Sequence, residues 1–245
     1  LIHSFPTRRS SDLWEPDNNG LGKNQVPMFK RFLRECGVID SKTATTELFE
    51  IVSHKGWRDN TTWGLMLSNL AYNRQCRWYI ENMDIGIYYE RSHISDLLIA
   101  EGVKKDDATS IINAFKRFCE LPLGEVLNWG YVEENGRQIT SLCRSKCNIN
   151  DNRIVLYSLF LFKEKCNINN EFHVSYLFDE SVQRDGVSPV RLFGLYDEEE
   201  LRSILLGLSE RYPAFINATY TNDLQTISLR DKTSADVLKL FEEDF

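Results

Sequence analysis

The order of the elements predicted over residues 93–142 constrains the fold of this chain more than any other sequence feature. The predicted elements are a helix over 93–101, a turn over 102–107, a second helix over 106–121, and strands over 131–133 and 138–142. Asn135-Gly136 between the strands is a strong signal for a two-residue hairpin. This order is typical of a winged helix-turn-helix, in which the hairpin forms the wing.

A similar order recurs toward the C-terminus. Ser188-Pro189 marks one helix start, and Asp197 caps a longer helix that ends before Pro213. Strands over 215–220 and 226–229 follow, and a last helix begins near Ser234. The chain is therefore predicted to be mainly α with small β-hairpins (α+β), as two winged-helix-like modules joined by helices.

The predicted domain organisation follows from these two patterns. Its parts are a helical region over 14–92, a first winged-helix-like module over 93–147, a helical connector over 148–187, and a second winged-helix-like module with a C-terminal helix over 188–245. Within the first part, residues 61–79 are predicted to form one helix that buries Trp63 and Trp78.

Polar and basic residues lie opposite the apolar face of the helix predicted over 106–121. With the wing, they form the predicted nucleic-acid-binding set: Lys104, Lys105, Thr109, Ser110, Asn113, Lys116, Arg117, Arg137 and Arg144. Asp106 and Asp107 at the helix start would repel phosphate, and the whole chain carries a net charge of -7. DNA is thus a predicted partner only through a local basic surface.

Catalytic and metal-binding motifs give no complete site. The sequence contains neither a Gly-x-Ser-x-Gly elbow nor a His-Glu-x-x-His pair, so no catalytic residue is assigned. Cys143, Cys147, Cys166 and His173 have the chemistry of zinc ligands, but their spacing is unlike that of zinc knuckles, and buried thiols are the preferred interpretation. We therefore expect no metal and no cofactor in this chain.

The N-terminal residues differ from the rest of the chain. Residues 4–13 resemble the translated end of a sequencing adaptor, so residues 1–13 are expected to be non-native and to contribute nothing to the fold. Residues 17–24 fail the Walker pattern, which requires Gly at Asp17 and Ser or Thr at Asn24. Lys23 and Asn24 remain weak predictions for contact with an anion, next to the helix that Pro27 begins.

The six cysteines are scattered irregularly through a chain long enough to fold without disulfides, which predicts reduced thiols and a cytoplasmic protein. The longest apolar run, over 154–162, is about half the roughly 20 residues that a membrane-spanning helix needs. We therefore expect no contact with a membrane.

Four short segments carry a resemblance to a known family. They are Gly22-Lys23-Asn24 with Val26-Pro27, Trp63-Gly64 with Asn69-Leu70-Ala71-Tyr72, Ser188-Pro189 with Phe193-Gly194-Leu195, and the stretch from Thr233 to Leu238. From residue 22 onward the chain resembles the region that follows the catalytic domain in bacterial phosphoadenosine phosphosulfate (PAPS) reductase-like proteins.

The resemblance implies an accessory role, either regulatory or nucleic-acid handling, beside a catalytic domain that would lie upstream. Members of that family carry a Ser-Gly-Gly-x-Asp-Ser loop that holds nucleotide phosphates, and some relatives are associated with sulfur modification of DNA. That loop does not occur in this sequence, so none of the family's catalytic residues is carried over. Two alternatives stay open: a free-standing winged-helix DNA-binding regulator and a protein-interaction module.

Overall fold

The computed structural model describes residues 25–182, 186–221 and 224–245, so Lys23, Asn24 and the adaptor-like segment lie outside the described residues. The first described elements are helices α1 (Gln25–Glu35), α2 (Glu47–Lys55), α3 (Asn60–Leu70) and α4 (Arg74–Asn82). The single helix predicted over 61–79 is wrong, because Asn73 interrupts it. Its side chain accepts hydrogen bonds from the backbone N–H groups of Gln75 and Cys76 and so caps α4.

The first module contains a three-stranded antiparallel sheet and three helices. Its elements are β1 (Tyr88–Glu90), α5 (Arg91–Ala100), α6 (Lys105–Glu120), α7 (Pro122–Leu127), β2 (Gly130–Asn135) and β3 (Gln138–Arg144). The strand order is β1-β3-β2, with Tyr89 opposite Leu142 in β3 and Val132 of β2 on the other side of Leu142. The wing is therefore one hairpin that is extended by a short third strand.

The second module repeats this arrangement. Its elements are α8 (Arg153–Cys166), β4 (Glu171–His173), a 3-10 helix (Val174–Leu177), α9 (Pro189–Phe193), α10 (Glu198–Arg211), β5 (Ile216–Thr221), β6 (Leu224–Leu229) and α11 (Ser234–Glu242). The strand order is β4-β6-β5, the same as in the first module. The chain is mainly helical with two small antiparallel sheets, which confirms the predicted α+β class.

Each sheet takes its third strand from outside the module bounds predicted above. Strand β1 precedes residue 93, and β4 lies inside the predicted connector over 148–187. A helix precedes the edge strand in both cases, α4 in one and α8 in the other, and three of the helical segments given above, counting the 3-10 helix, separate that strand from the hairpin. The edge strands have only three residues each, too few to give a periodic signal of their own.

Helix α8 is the central helix of the core. All nine of its residues from Ile154 to Phe162 are buried, and α3 lies against it. A Cβ atom added at Gly64 of α3 would lie 2.8 Å from Cδ1 of Ile154, so the lack of a side chain there allows the close approach. Among the described residues, no helix combines the length and apolarity required to cross a bilayer.

All six cysteines lie in the described part of the chain, and each is a thiol rather than half of a disulfide. Burial raises the pKa of the Cys76 and Cys147 thiols to about 12. Thiols with such pKa values stay protonated at neutral pH and are poor nucleophiles. Cys76 and Cys147 therefore act as small side chains packed in the core.

The C-terminus is fixed to the core through Asp244. Its carboxylate accepts hydrogen bonds from the Arg153 guanidinium at 2.5 Å and from Lys55 Nζ at 3.1 Å. The hydrogen bond from Arg153 is the main reason that the Asp244 pKa falls from 3.8 to about 2. A carboxylate whose pKa is lowered by folding stabilises the folded state above its unfolded pKa, and the contribution disappears as the pH falls through the folded pKa.

We therefore expect Asp244→Asn to lower stability at pH 7, with the difference from the parent shrinking between pH 4 and pH 2. The effect is expected to be modest because the carboxylate is partly solvated. Urea unfolding at a series of pH values tests this. A difference that persists unchanged at pH 2 would show that the carboxylate's charge is not the stabilising feature.

Candidate nucleic-acid interface

Helix α6 has one buried face and one exposed face. Ala108, Ile112 and Phe115 are buried, and the Phe115 ring stacks on Trp78 of α4 at a centroid distance of 5.5 Å. The exposed side carries much of the predicted set, namely Lys104 at the N-cap, Lys105, Thr109, Ser110, Asn113 and Arg117. The packing of α6 on α4 therefore holds these polar side chains toward solvent.

A groove of about 630 Å³ lies between the start of α6 and the wing. Lys105 and Thr109 line it from α6, and Gln138 and Thr140 line it from β3. Three further lining residues come from the start of α5: Arg91, Ser92 and Ser95. The structure therefore brings part of the predicted set together with polar residues of two other elements.

The α5 and β3 residues of this groove were not predicted from the sequence. The sequence around them shows only that Arg91 begins a helix and that Gln138 begins a strand, which does not indicate a shared groove. Two carboxylates, Glu90 and Glu133, also line the groove. The groove is thus polar with charges of both signs, rather than strongly basic.

The tip of the wing differs by one residue from the predicted turn. Asn135 pairs with Gln138 across the hairpin, so the two turn residues are Gly136 and Arg137. Gly136 has a φ of +65°, a conformation that favours glycine. Arg137 is exposed at this tip, as expected for a side chain that contacts a phosphate.

Lys116 lies on the sheet-facing margin of α6. Its ammonium contacts Glu134 of β2 at 2.6 Å and Glu120 at 3.2 Å, and the hydrogen bond to Glu134 is the main cause of its raised pKa. Because two carboxylates already compensate its charge, Lys116 links α6 to the wing and offers little attraction to phosphate.

The assignment of Arg144 to the nucleic-acid surface is wrong. Its side chain is only 1% exposed. Nη1 donates to the carbonyl oxygens of Ile80 at 2.6 Å and Met83 at 3.1 Å, and Nη2 donates to the carbonyl oxygen of Arg191. Burial lowers the Arg144 pKa. Arg144 therefore joins the end of α4, strand β3 and helix α9, and does not reach solvent.

The second module has a groove at the equivalent place. It measures about 360 Å³ and is lined by His173 and Ser175 after β4, by Glu198, Glu199 and Arg202 of α10, and by Tyr220 and Gln225 of the hairpin. The Arg202 guanidinium lies over the Tyr220 ring, 5.3 Å from its centroid. In the first groove the long helix α6 contributes a lysine, Lys105. In the second groove the equivalent helix α10 contributes two carboxylates, Glu198 and Glu199.

The four possible zinc ligands do not form a cluster. Cys143 and Cys147 are buried, Cys166 ends α8, and His173 caps the 3-10 helix by accepting a hydrogen bond from the Ser175 N–H at 3.1 Å. Over residues 25–182, 186–221 and 224–245, no three His, Cys, Asp or Glu side chains are grouped as metal ligands.

Two solved structures are similar to this fold. No protein-family profile matches the chain, and no curated protein sequence matches it. A crystal structure of SspB is similar, with a TM-score of 0.65 and 12% identity, and so is one of magnesium ion-bound SspB, with a TM-score of 0.62 and 13% identity. Each similarity covers 94% of this chain and 77% of the SspB chain. At this level of identity, the likeness concerns the fold alone.

Proposed function

We propose that this chain is a nucleic-acid-handling accessory region of a PAPS reductase-like protein, and that it contacts duplex DNA through the first winged-helix-like module. The observation that carries the DNA part is the groove of about 630 Å³ between α6 and the wing. A recognition helix and a hairpin that flank one polar groove are the arrangement by which winged helices approach a duplex.

The side chains of this surface suit the two kinds of DNA contact. The hydroxyl and amide groups of Thr109, Ser110 and Asn113 can hydrogen-bond to base edges or phosphates. Lys105, Arg117 and Arg137 supply exposed positive charges for the backbone. The interface therefore combines charges that position the backbone with polar groups that can read base edges.

The acidic residues at this surface set the expected strength of binding. Glu90 and Glu133 line the groove, and Asp106 and Asp107 lie at the start of α6. They offset part of the attraction to phosphate, so binding by this chain alone is expected to be weak and strongly salt-dependent. Weak intrinsic binding suits an accessory region whose parent protein makes further DNA contacts.

The resemblance to PAPS reductase-like proteins supports the first part of the proposal. Some relatives of that family are associated with sulfur modification of DNA. The nucleotide-holding loop of that family is absent from this sequence, so the proposed role of the chain is binding. We propose a cytoplasmic location, which the reduced thiols support.

We expect Arg117→Glu and Arg137→Glu each to weaken duplex binding and to reduce the dependence of log K on log salt by about one unit. Each change removes one phosphate contact and places a negative charge where a positive one lay next to the DNA backbone. Fluorescence anisotropy with a labelled duplex, between about 50 and 200 mM salt, measures both quantities.

Arg202→Glu makes the same charge change on α10 of the second module and serves as the matched control. Its binding and salt slope should equal those of the parent chain. Equal losses in all three variants would indicate an effect of net charge alone. No binding by the parent at the lowest salt concentration would contradict the DNA proposal.

A protein-interaction module is the second candidate function, and the acidic groove of the second module favours it. Glu198 and Glu199 line that groove beside Tyr220. The negative charge of the groove is unfavourable for DNA and suits a partner with basic side chains. Failure of the duplex-binding experiment would favour this function.

A further inference from the structure

A second groove of the first module lies behind α6 and shares no lining residue with the proposed DNA groove. It measures about 590 Å³, within the size range of small-molecule sites. Helix α4 forms one wall, and the turn between α5 and α6, with the buried side of α6, forms the other.

The floor of this groove is apolar. Its lining residues include Trp78 of α4, Leu98 of α5, and Ile111 and Phe115 of α6. Trp78 and Phe115 are buried and stack nearly parallel, with 7° between their planes. A floor of this kind favours a flat, apolar ligand body.

Trp78, which is one of the lining residues, also carries a buried and unsatisfied donor. The residue is 8% exposed, and its indole Nε1 has no hydrogen-bond partner within the described chain. Buried donors nearly always have an acceptor, and an indole N–H can only donate. An acceptor atom on a bound ligand would supply the missing hydrogen-bond partner of the Trp78 indole N–H.

The α4 side of the groove carries one net positive charge, because Arg77 is paired with Glu81 at 2.7 Å and Arg74 adds a further guanidinium. Arg74 is exposed, and it lies four residues before Trp78, so the two side chains share one face of the helix. The first turn of α4 has no acidic residue, and its helix dipole adds positive potential there. At the opposite side, Glu101 and Asp107 offset Lys104. An anionic group is therefore best accommodated beside Arg74.

We infer that this groove binds an aromatic carboxylate. Its ring lies on the floor formed by Trp78, Ile111 and Phe115, and its carboxylate accepts hydrogen bonds from the Arg74 guanidinium and the Trp78 indole N–H. Because α6 supplies part of the floor, such a ligand ties α6 to α4 behind the exposed face of α6. The inference concerns a different groove and does not depend on DNA binding.

The test is isothermal titration calorimetry of the full chain with 1-naphthoate, and with neutral 1-naphthalenemethanol as the comparison. We expect 1-naphthoate to bind with a Kd below about 1 mM. The neutral compound should bind about five-fold more weakly, because it lacks the ionic contact with the exposed Arg74. Arg74→Gln should weaken 1-naphthoate about five-fold and leave the neutral compound unchanged.

Two further variants complete the experiment. Trp78→Phe keeps an aromatic ring against Phe115 but removes the donor, so it should also weaken 1-naphthoate. Arg91→Gln changes the DNA groove instead and should leave 1-naphthoate binding unchanged. Absence of 1-naphthoate binding, equal affinity for the two compounds, or an unchanged affinity in Arg74→Gln would overturn the inference. Since Arg74 is exposed, that variant stays informative even where Trp78→Phe fails to fold.

Discussion

Replacing Arg144 by methionine is expected to lower the free energy of unfolding by about 3 kcal/mol, because three carbonyl oxygens lose their donors while the volume is nearly kept. Ile80 belongs to the last turn of α4 and Met83 follows that turn, where helix carbonyls lack partners of their own. The third carbonyl, of Arg191, belongs to the second module. The loss is therefore expected to weaken both the end of α4 and the contact between the modules.

Urea unfolding of the parent and Arg144→Met measures this difference. Arg137→Met is the matched control, since Arg137 is exposed at the wing tip, and it should stay within about 0.5 kcal/mol of the parent. A similarly small effect of Arg144→Met would show that water replaces the guanidinium at the three carbonyls.

Replacing Trp129 by alanine is expected to be at least as destabilising, at about 4 kcal/mol, because a large cavity forms in the core of the first module. Trp129 is fully buried between α7 and β2. Its ring lies 5.2 Å from that of Tyr79 and 5.1 Å from that of Phe118, so it joins α4 and α6 to the base of the wing. Loss of the indole removes contacts with two helices at once.

Tyr131→Ala is the control on the same hairpin, because Tyr131 is 48% exposed. It should cost less than about 1 kcal/mol, and most of that from its hydrogen bond to Asn128 at 2.7 Å. Thermal or urea unfolding compares the two variants. Similar losses in both would mean that the hairpin, and not the buried ring, limits stability.

Local sequence signals predicted much of the secondary structure. Asp197 and Ser188 cap helices α10 and α9, as their positions indicated, by accepting hydrogen bonds from the N–H groups of Glu200 and Arg191. The apolar spacing of Ala108, Ile112 and Phe115 identified the buried face of α6. Caps and helical periodicity depend on residues close together in the chain, so they can be recognised from the sequence alone.

The candidate site was only partly predictable. The exposed face of α6 follows from its periodicity, so Thr109 and Asn113 were placed correctly on it. Arg91 of the same groove carries no such signal, because the α6 and β3 sides of the groove lie far from it in the sequence. Lys116 was predicted from its position at the margin of the helix, while its pairing with Glu134 depends on how β2 packs against α6.

The sequence by itself determined the two hairpins, the long helix before each of them, the recurrence of that order, and the α+β class. Tertiary structure alone decided which strands complete the two sheets, because β1 and β4 are three residues long and gain their hydrogen bonds from distant strands. It also decided that Arg144, the last residue of β3, is buried. Its three acceptors come from α4 and α9, and only their convergence makes burial of a guanidinium possible.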